Sequence, residues 1–339
     1  MGTDQNSGNE TQHRAQHRAL TEGAGLLDRS GGDRLEMRGE DRHRFLNAQI
    51  TCEVKNLAPG SLTYGFFTSR QGKIQADVTV LALEDRFWLE LPAGRGEAIL
   101  EHLCTYLLAD RVTVEPLTSE APLAVLGPRT AEILDALGVA GLPDEDERHA
   151  EVDLLGVPAR AVRQLIFTLP AVSFWVAADR LGEVSERLLR EGSGQGLVAV
   201  ATETVETVRV ERGAPRFGAD FGPESFPQET GLDDAVSYTK GCYLGQEVVA
   251  RIHYRGGVQR RLQGLVFHGT GESGDEPPAN GTELRAAGRS VGAVGTAVRS
   301  PALGATVGLA ILHQRAEPGA ILEVQGGGTA EVRELPLVG

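Results

Sequence analysis

The order of its hydrophobic periods constrains this chain most. Between Arg34 and Val200 the pattern runs twice through strand, helix, strands, helix and strand. The first pass opens with a short strand at Arg34–Met37. A helix follows from Asp41 to about Ile50, carrying Phe45, Leu46, Gln49 and Ile50 as a partial apolar stripe. A three-strand meander comes next, Leu62–Thr68, Ile74–Leu83 and Phe87–Leu91, turned at Ser69-Arg70-Gln71-Gly72 and Glu84-Asp85-Arg86. A helix from about Arg95 to Leu108 and a strand at Val112–Glu115 close the pass. Cys104 lies beside the helix stripe of Ile99, Leu100, Leu103, Leu107 and Leu108 and reads as core. The second pass has a strand at Leu123–Leu126, a helix to Leu137 with Pro128 near its first turn, and an acidic loop from Pro143 to Glu147. Strands near Ala159–Leu165 and Val172–Ala177, a helix from Asp179 to about Arg190 and a strand at Leu197–Val200 complete it. The order β-α-β-β-α-β is ferredoxin-like. The fold class is therefore α+β, with an architectural pseudo-repeat that the residues themselves do not repeat.

After Arg261 the pattern changes to short strands at Leu262–Phe267, Glu283–Ala286, Val291–Arg299, Val307–Leu312 and Ile321–Gln325, with Gly and Pro between them. That spacing predicts a small antiparallel β-barrel or sandwich, with the acidic Gly269–Gly281 loop as a surface excursion. The expected organisation is a disordered tail over 1–24, a first unit over 25–120, a second ferredoxin-like unit over 121–200, a return helix (Thr202 to Gly213), a Gly/Pro-rich segment (Ala214 to Gly231) and the stretch containing KGCYLGQE together over 201–258, and the barrel over 259–339. The tail is polar and aperiodic. Its QHRAQHRA repeat puts His13 and His17 four apart, but a solvated tail explains it more simply than a metal site.

Charge narrows the partners. A net charge of −14 argues against broad binding to nucleic acid or anionic lipid. The basic segment Arg251–Gly257, RIHYRGG, with Arg260 and Arg261, does not overcome that balance unless clustered, so direct tRNA binding is not expected. No apolar run is long enough to span a membrane. The three cysteines, Cys52, Cys104 and Cys242, are widely spaced and form no CxxC, so neither a disulfide framework nor a resident metal site is expected. Reduced thiols suit a cytoplasmic protein.

Chemistry concentrates in Lys240–Glu247, KGCYLGQE. Lys240 stands two residues from Cys242, positioned to stabilise a thiolate. A helix beginning near Gln246 would add the partial positive charge of its N-terminus. The bland alternative is that Cys242 is a small buried hydrophobe, as many free cysteines are. Elsewhere, Ile74, Ala76, Val78 and Val80 alternate with Lys73, Gln75, Asp77 and Thr79, which puts Asp77 on the polar face of its strand. Periodicity alone favours solvent for Asp77 over a pocket.

The octapeptide resembles the signature of the folate-binding YgfZ proteins, relatives of the glycine-cleavage T-protein (aminomethyltransferase). GAGLLDRSGGDRLEMRGEDRHRFLNAQIT and YGFFTSRQGKIQADVTV resemble the opening and the glycine-turn–strand segment of the same group, and VRVERGAPRFGAD resembles its RxEAG helix end. The resemblance implies a three-domain ring of two ferredoxin-like α/β units plus a C-terminal antiparallel β-barrel, with tetrahydrofolate or a derivative in the central opening. It places Asp77 and Glu211 at the folate, with Tyr243, Gln246 and Arg251 lining the same opening. It makes Cys242 the reactive thiol, with Lys240 tuning it. Where T-proteins carry an acidic pair on the strand, Ala76 takes one place, and where they carry an acidic residue in the signature this chain has Cys242. Arg212 stands where the group usually has Ala.

The function implied is a monomeric, cytoplasmic, folate-binding factor supporting assembly or repair of [4Fe–4S] client proteins, including tRNA-thiolating enzymes. The alternatives are a tetrahydrofolate-dependent aminomethyltransferase and a non-catalytic adaptor. A [4Fe–4S] cluster uses about four cysteines, so any stable cluster would take ligands from a partner.

Overall fold

The computed structural model describes residues 3–271, 274 and 276–339. Residues 272, 273 and 275 of the acidic loop expected over 269–281 lie outside them, as do the first two of the expected tail. Helices and strands follow in chain order: α1 (Thr3–Glu22), β1 (Ala24–Asp28), β2 (Asp33–Arg38), α2 (Arg42–Asn47), β3 (Leu62–Thr68), β4 (Ile74–Ala82), β5 (Arg86–Leu91), α3 (Gly96–Tyr106), β6 (Thr113–Pro116), β7 (Glu120–Leu126), α4 (Thr130–Ala136), β8 (Arg148–Leu154), β9 (Val157–Ile166), β10 (Leu169–Ala177), α5 (Leu181–Gly192), β11 (Leu197–Ala199) and α6 (Thr202–Glu211). They continue with α7 (Gln246–Arg255), β12 (Arg260–His268), β13 (Glu283–Ala286), β14 (Arg289–Ala293), β15 (Thr296–Ser300), β16 (Ala305–His313), β17 (Ile321–Val324) and β18 (Thr329–Arg333).

Two compact units divide the chain. The first holds residues up to Phe45, Lys55–Thr63 and Thr79–Val205, and the second holds Leu46–Val54, Tyr64–Val78 and Glu206–Gly339. The division cuts across α2, β3, β4 and α6.

In the first unit a six-stranded sheet runs β11-β1-β7-β10-β9-β8. β1 lies between β11, with which it is parallel, and β7, with which it is antiparallel. The sheet is thus completed by residues 24–28, and the boundary expected at 120/121 does not isolate it. β8, which the acidic loop was expected to precede directly without a strand, pairs along its whole length with β9. The apolar face of this sheet packs on α4 and α5 through Leu123, Val125, Ile133, Leu134, Phe174, Val184 and Leu188. Trp88 of β5 stacks on Trp175 of β10 with centroids 5.3 Å apart.

The N-terminal segment is a helix rather than the expected disordered tail. Its sequence carries no strong apolar period, but Leu20 is fully buried and Gln16 and His17 nearly so. Gln16 Oε1 accepts from Thr204 Oγ1 at 2.8 Å and from the Ala201 amide at 3.1 Å, and ion pairs four residues apart, Glu10–Arg14 and Arg18–Glu22, flank this contact. Tertiary packing supplies what propensity lacks. Cys104 also departs from expectation: it is exposed, because the helix buries Ile99 and Leu103 and the next residue points about 100° away.

His149 on β8 is buried beside Arg160, whose guanidinium donates to its Nδ1 at 3.0 Å. Burial, then the Arg160 charge, lowers its pKa to about 4. A base whose folded pKa lies below its unfolded value takes up its proton on unfolding. Stability should therefore fall as pH drops from about 6.5 towards 4 and level off below, by roughly 3 kcal/mol in all. Acid titration of the unfolding free energy checks this, and His149→Gln should flatten that limb.

In the second unit β12-β18-β17-β13-β14-β16 closes on itself through the β12–β16 pairing, giving a six-stranded antiparallel barrel with β15 appended to β16. Leu265, Phe267, Leu284, Leu312, Leu322 and Ala330 fill it. The long strand expected at Val291–Arg299 is broken into β14 and β15 at Val294-Gly295, and β18 is a strand that the sequence pattern did not reveal. A five-stranded antiparallel sheet runs β3-β4-β5-β2-β6, and with the six-stranded sheet and the barrel it gives the α+β class expected.

Candidate functional site

The site begins with the turn between β3 and β4. The Ser69 amide donates to Lys73 O and the Gly72 amide to Ser69 O, at 2.8 and 2.9 Å, which closes Ser69–Gly72 into the tight turn the sequence predicts. Gly245 lies against this turn at φ +82°; a Cβ there would stand 2.3 Å from Ser69 O. Only glycine meets both conditions, which accounts for one glycine of the octapeptide. From Gly245 the chain enters α7, beginning at Gln246 as expected, with buried Val249 facing Phe66 and Ile74.

In the loop over 240–245 two buried residues flank two exposed ones. Gly241 and Cys242 are exposed, whereas Lys240 and Tyr243 are 8% and 6% exposed. Cys242 is therefore not a core thiol. It lines an open depression of about 520 Å³ with Arg70, Tyr243, Leu244, Gly245, Gln246, Glu247 and Ala250.

Lys240 departs from its expected role as a partner for the Cys242 thiolate. Its ammonium donates to Ile50 O at 2.8 Å and to Cys52 O, and lies 5.2 Å from the centre of the Tyr243 ring. A buried ammonium needs acceptors, and these two carbonyls supply them. Burial lowers its pKa to about 8. The Tyr243 ring is packed away, and its hydroxyl is buried with no hydrogen-bond partner among the described residues. Burial, then the neighbouring Tyr238, pushes its pKa up.

Asp77 is half-buried on β4, and its Oδ2 accepts from the Tyr64 hydroxyl at 2.8 Å. The alternation read from sequence holds, with Ile74, Ala76, Val78 and Val80 all buried, but the polar face meets Tyr64 rather than open solvent. Burial first, then the Asp77 charge and hydrogen bond, raises the Tyr64 pKa well above its usual value. Glu211 is buried at the end of α6, not solvated. Its carboxylate accepts from Ser300 Oγ at 2.5 Å, and its carbonyl accepts from the Leu337 and Val338 amides. Gln246 is half-buried at the depression. Arg251 is exposed and pairs with Glu247 one turn earlier at 2.6 Å, an ordinary surface ion pair that does not line the depression.

Three neighbours were not singled out from sequence. Tyr64 holds Asp77. Gln228 donates to Val249 O at 2.7 Å and to the Tyr238 hydroxyl at 3.3 Å, and the Tyr238 ring stacks on His253 at 3.7 Å. Tyr64 shares one face of β3 with Phe66, two residues on, and so reads as a core aromatic rather than as a partner for a carboxylate. Gln228 and Tyr238 lie in irregular backbone where no period operates.

Residues 5–240 match the GCVT N-terminal domain, and residues 260–338 match the glycine cleavage T-protein C-terminal barrel domain. The chain is 28% identical over 305 residues to an aminomethyltransferase of Symbiobacterium thermophilum, covering 87% of this chain and 80% of the relative. It is 27% identical over 320 residues to the aminomethyltransferase of Bacillus subtilis, covering 91% and 85%. The crystal structure of glycine cleavage system aminomethyltransferase T from Bartonella henselae has the same fold, with a TM-score of 0.83 at 22% identity over 95% of this chain and 88% of that one. By both of its domains, the chain belongs to the glycine cleavage T-protein family.

Proposed function

We propose that the chain is a folate-binding factor of the YgfZ type, which supports assembly or repair of [4Fe–4S] proteins, tRNA-thiolating enzymes among them, through Cys242. The observation that carries this reading is the presentation of that thiol. Exposed Gly241 and Cys242 stand between buried Lys240 and Tyr243, and Cys242 lines an open depression beside the start of α7. By the resemblance, T-proteins carry an acidic residue at this place in the signature, so the thiol at Cys242 sets this chain apart from them. An open depression suits a thiol that meets a group carried by a client protein.

Folate fits the donor set in part. Asp77 offers a half-buried carboxylate for the N–H and amino donors of a pterin, braced by Tyr64. Glu211 offers a second carboxylate, already engaged by Ser300. When bound, tetrahydrofolate would supply a one-carbon carrier nitrogen; the residues of this chain would hold and orient the pterin. Tyr243, Gln246 and Arg251 are weaker contributors, and the ion pair of Arg251 with Glu247 makes it the weakest. The reading includes a cytoplasmic location and a monomer.

Aminomethyl transfer is the second reading, favoured by the aminomethyltransferases among the relatives. Ala76, fully buried on β4, weighs against it, because the resemblance gives T-proteins a second acid there.

The test is complementation. Cys242→Ala should fail to restore iron–sulfur enzyme activity in a strain deleted for this gene, with unfolding midpoint and circular dichroism unchanged. Full restoration would remove Cys242 from the function.

A further inference from the structure

We infer that Lys240 and Thr68 are positioning residues that staple the Cys242 loop at both ends, rather than groups that activate its thiol. The inference rests on the reading of Cys242 as the functional thiol. On the N-terminal side of Cys242, the Lys240 ammonium is fixed to two main-chain carbonyls, Ile50 O and Cys52 O, and the Lys240 amide donates to Ser237 Oγ at 3.2 Å. On the C-terminal side, Thr68 Oγ1 donates to Leu244 O at 2.5 Å and the Leu244 amide donates to Ala48 O at 3.0 Å. Gly245 is then locked against the Ser69–Gly72 turn.

Both anchors converge on one piece of backbone. The segment 48–52 receives Lys240 and Leu244, and it is itself tied to β3 by the Thr51 amide on Phe66 O at 2.9 Å and by the Phe66 amide on Thr51 Oγ1 at 2.8 Å. Thr68 belongs to the same strand. The two exposed residues of the loop, Gly241 and Cys242, are therefore suspended from a single rigid support. Holding a reacting group in place is itself a large contribution to rate, and a small displacement costs much of it. The charged and titratable groups that face Lys240 are those of the support, Cys52 and Glu53, together with the Tyr243 ring.

The test uses the full chain with Cys104→Ser, so that Cys242 is the exposed thiol and Cys52 stays buried. A nitroxide on Cys242 reports loop mobility by electron paramagnetic resonance. The pH dependence of alkylation by neutral iodoacetamide reports thiol activation. Thr68→Val and Lys240→Met are each expected to shorten the rotational correlation time of the label at least threefold, while the inflection of the alkylation profile stays at the wild-type pH. Thr68→Val carries no charge change and decides the matter alone if Lys240→Met does not fold. Unchanged mobility in folded Thr68→Val overturns the inference. An inflection that moves to higher pH in Lys240→Met with mobility unchanged overturns it too, and makes Lys240 an electrostatic activator. Neither readout needs folate or a client protein, so failure here and failure of the proposed function are separate results.

Discussion

Replacing Arg209 by leucine is expected to cost the protein roughly 3–5 kcal/mol, read as a lowered midpoint of urea unfolding. Arg209 is fully buried in α6. Its guanidinium donates to Asp220 Oδ2 at 2.6 Å, to Glu206 Oε2 at 2.8 Å, to Ala214 O at 2.7 Å and to Thr296 Oγ1 at 2.8 Å. The side chain of Asp220 is itself fully buried, so the substitution leaves a carboxylate without water and without its cation. That desolvation, and not the mutual attraction of the pair, sets the size of the effect. Replacing Arg209 and Asp220 together by leucine should then recover much of the loss. If the double variant is as unstable as the single one, the effect lies in packing and not in the orphaned charge.

Gly245→Ala is the second large effect. The added methyl meets Ser69 O at 2.3 Å and Gly72 Cα at 3.0 Å, and both are backbone, which cannot rotate away. The residue also keeps a left-handed φ of +82°. Left-handed backbone costs about 1–2 kcal/mol for a residue with a Cβ, and overpacking about 1–3 more. A loss of roughly 2–5 kcal/mol is expected, with Cys242 displaced from the depression because its loop hangs from this point. Thermal unfolding reads the first part, and the alkylation rate of Cys242 relative to wild type reads the second. Gly241→Ala is the control. No atom lies within 4 Å of its would-be Cβ, so it should change stability little.

The parts of the fold legible in the sequence are those governed by local period. The alternation from Lys73 to Val80, the Ser69–Gly72 turn and the start of α7 at Gln246 are each written in a few consecutive residues. What escaped was decided across the chain. β1 is a five-residue strand whose place between β11 and β7 depends on residues about 100 and 170 positions away. The N-terminal helix is held by Gln16 and Leu20 against its neighbours, which polar composition does not announce. The break between β14 and β15 and the strand β18 occur in Gly-rich segments where short strands and turns look alike. Cys104 was misread because a helix stripe tolerates no error of one residue.

The site divides in the same way. Cys242 and Asp77 were named because the residues around them are chemically distinctive. The proximity of Lys240 to Cys242 in sequence suggested a partnership, but a side chain four methylenes long reaches whatever acceptors the fold brings near, and here those are Ile50 O and Cys52 O. The burial of Glu211 at its helix end was not legible locally, because Ser300, its partner, lies 89 residues on. Tyr64 was passed over because its importance comes from Asp77 on the adjacent strand.

The most direct test of the central claim is anaerobic calorimetric titration of the purified protein with tetrahydrofolate, for wild type and for Asp77→Ala. Saturable binding by the wild type, weakened at least tenfold in Asp77→Ala with the unfolding midpoint preserved, is the predicted result. Absence of binding by the folded wild-type protein would contradict the account. It would leave a T-protein fold without its ligand and make Cys242 a residue through which an adaptor meets its partner.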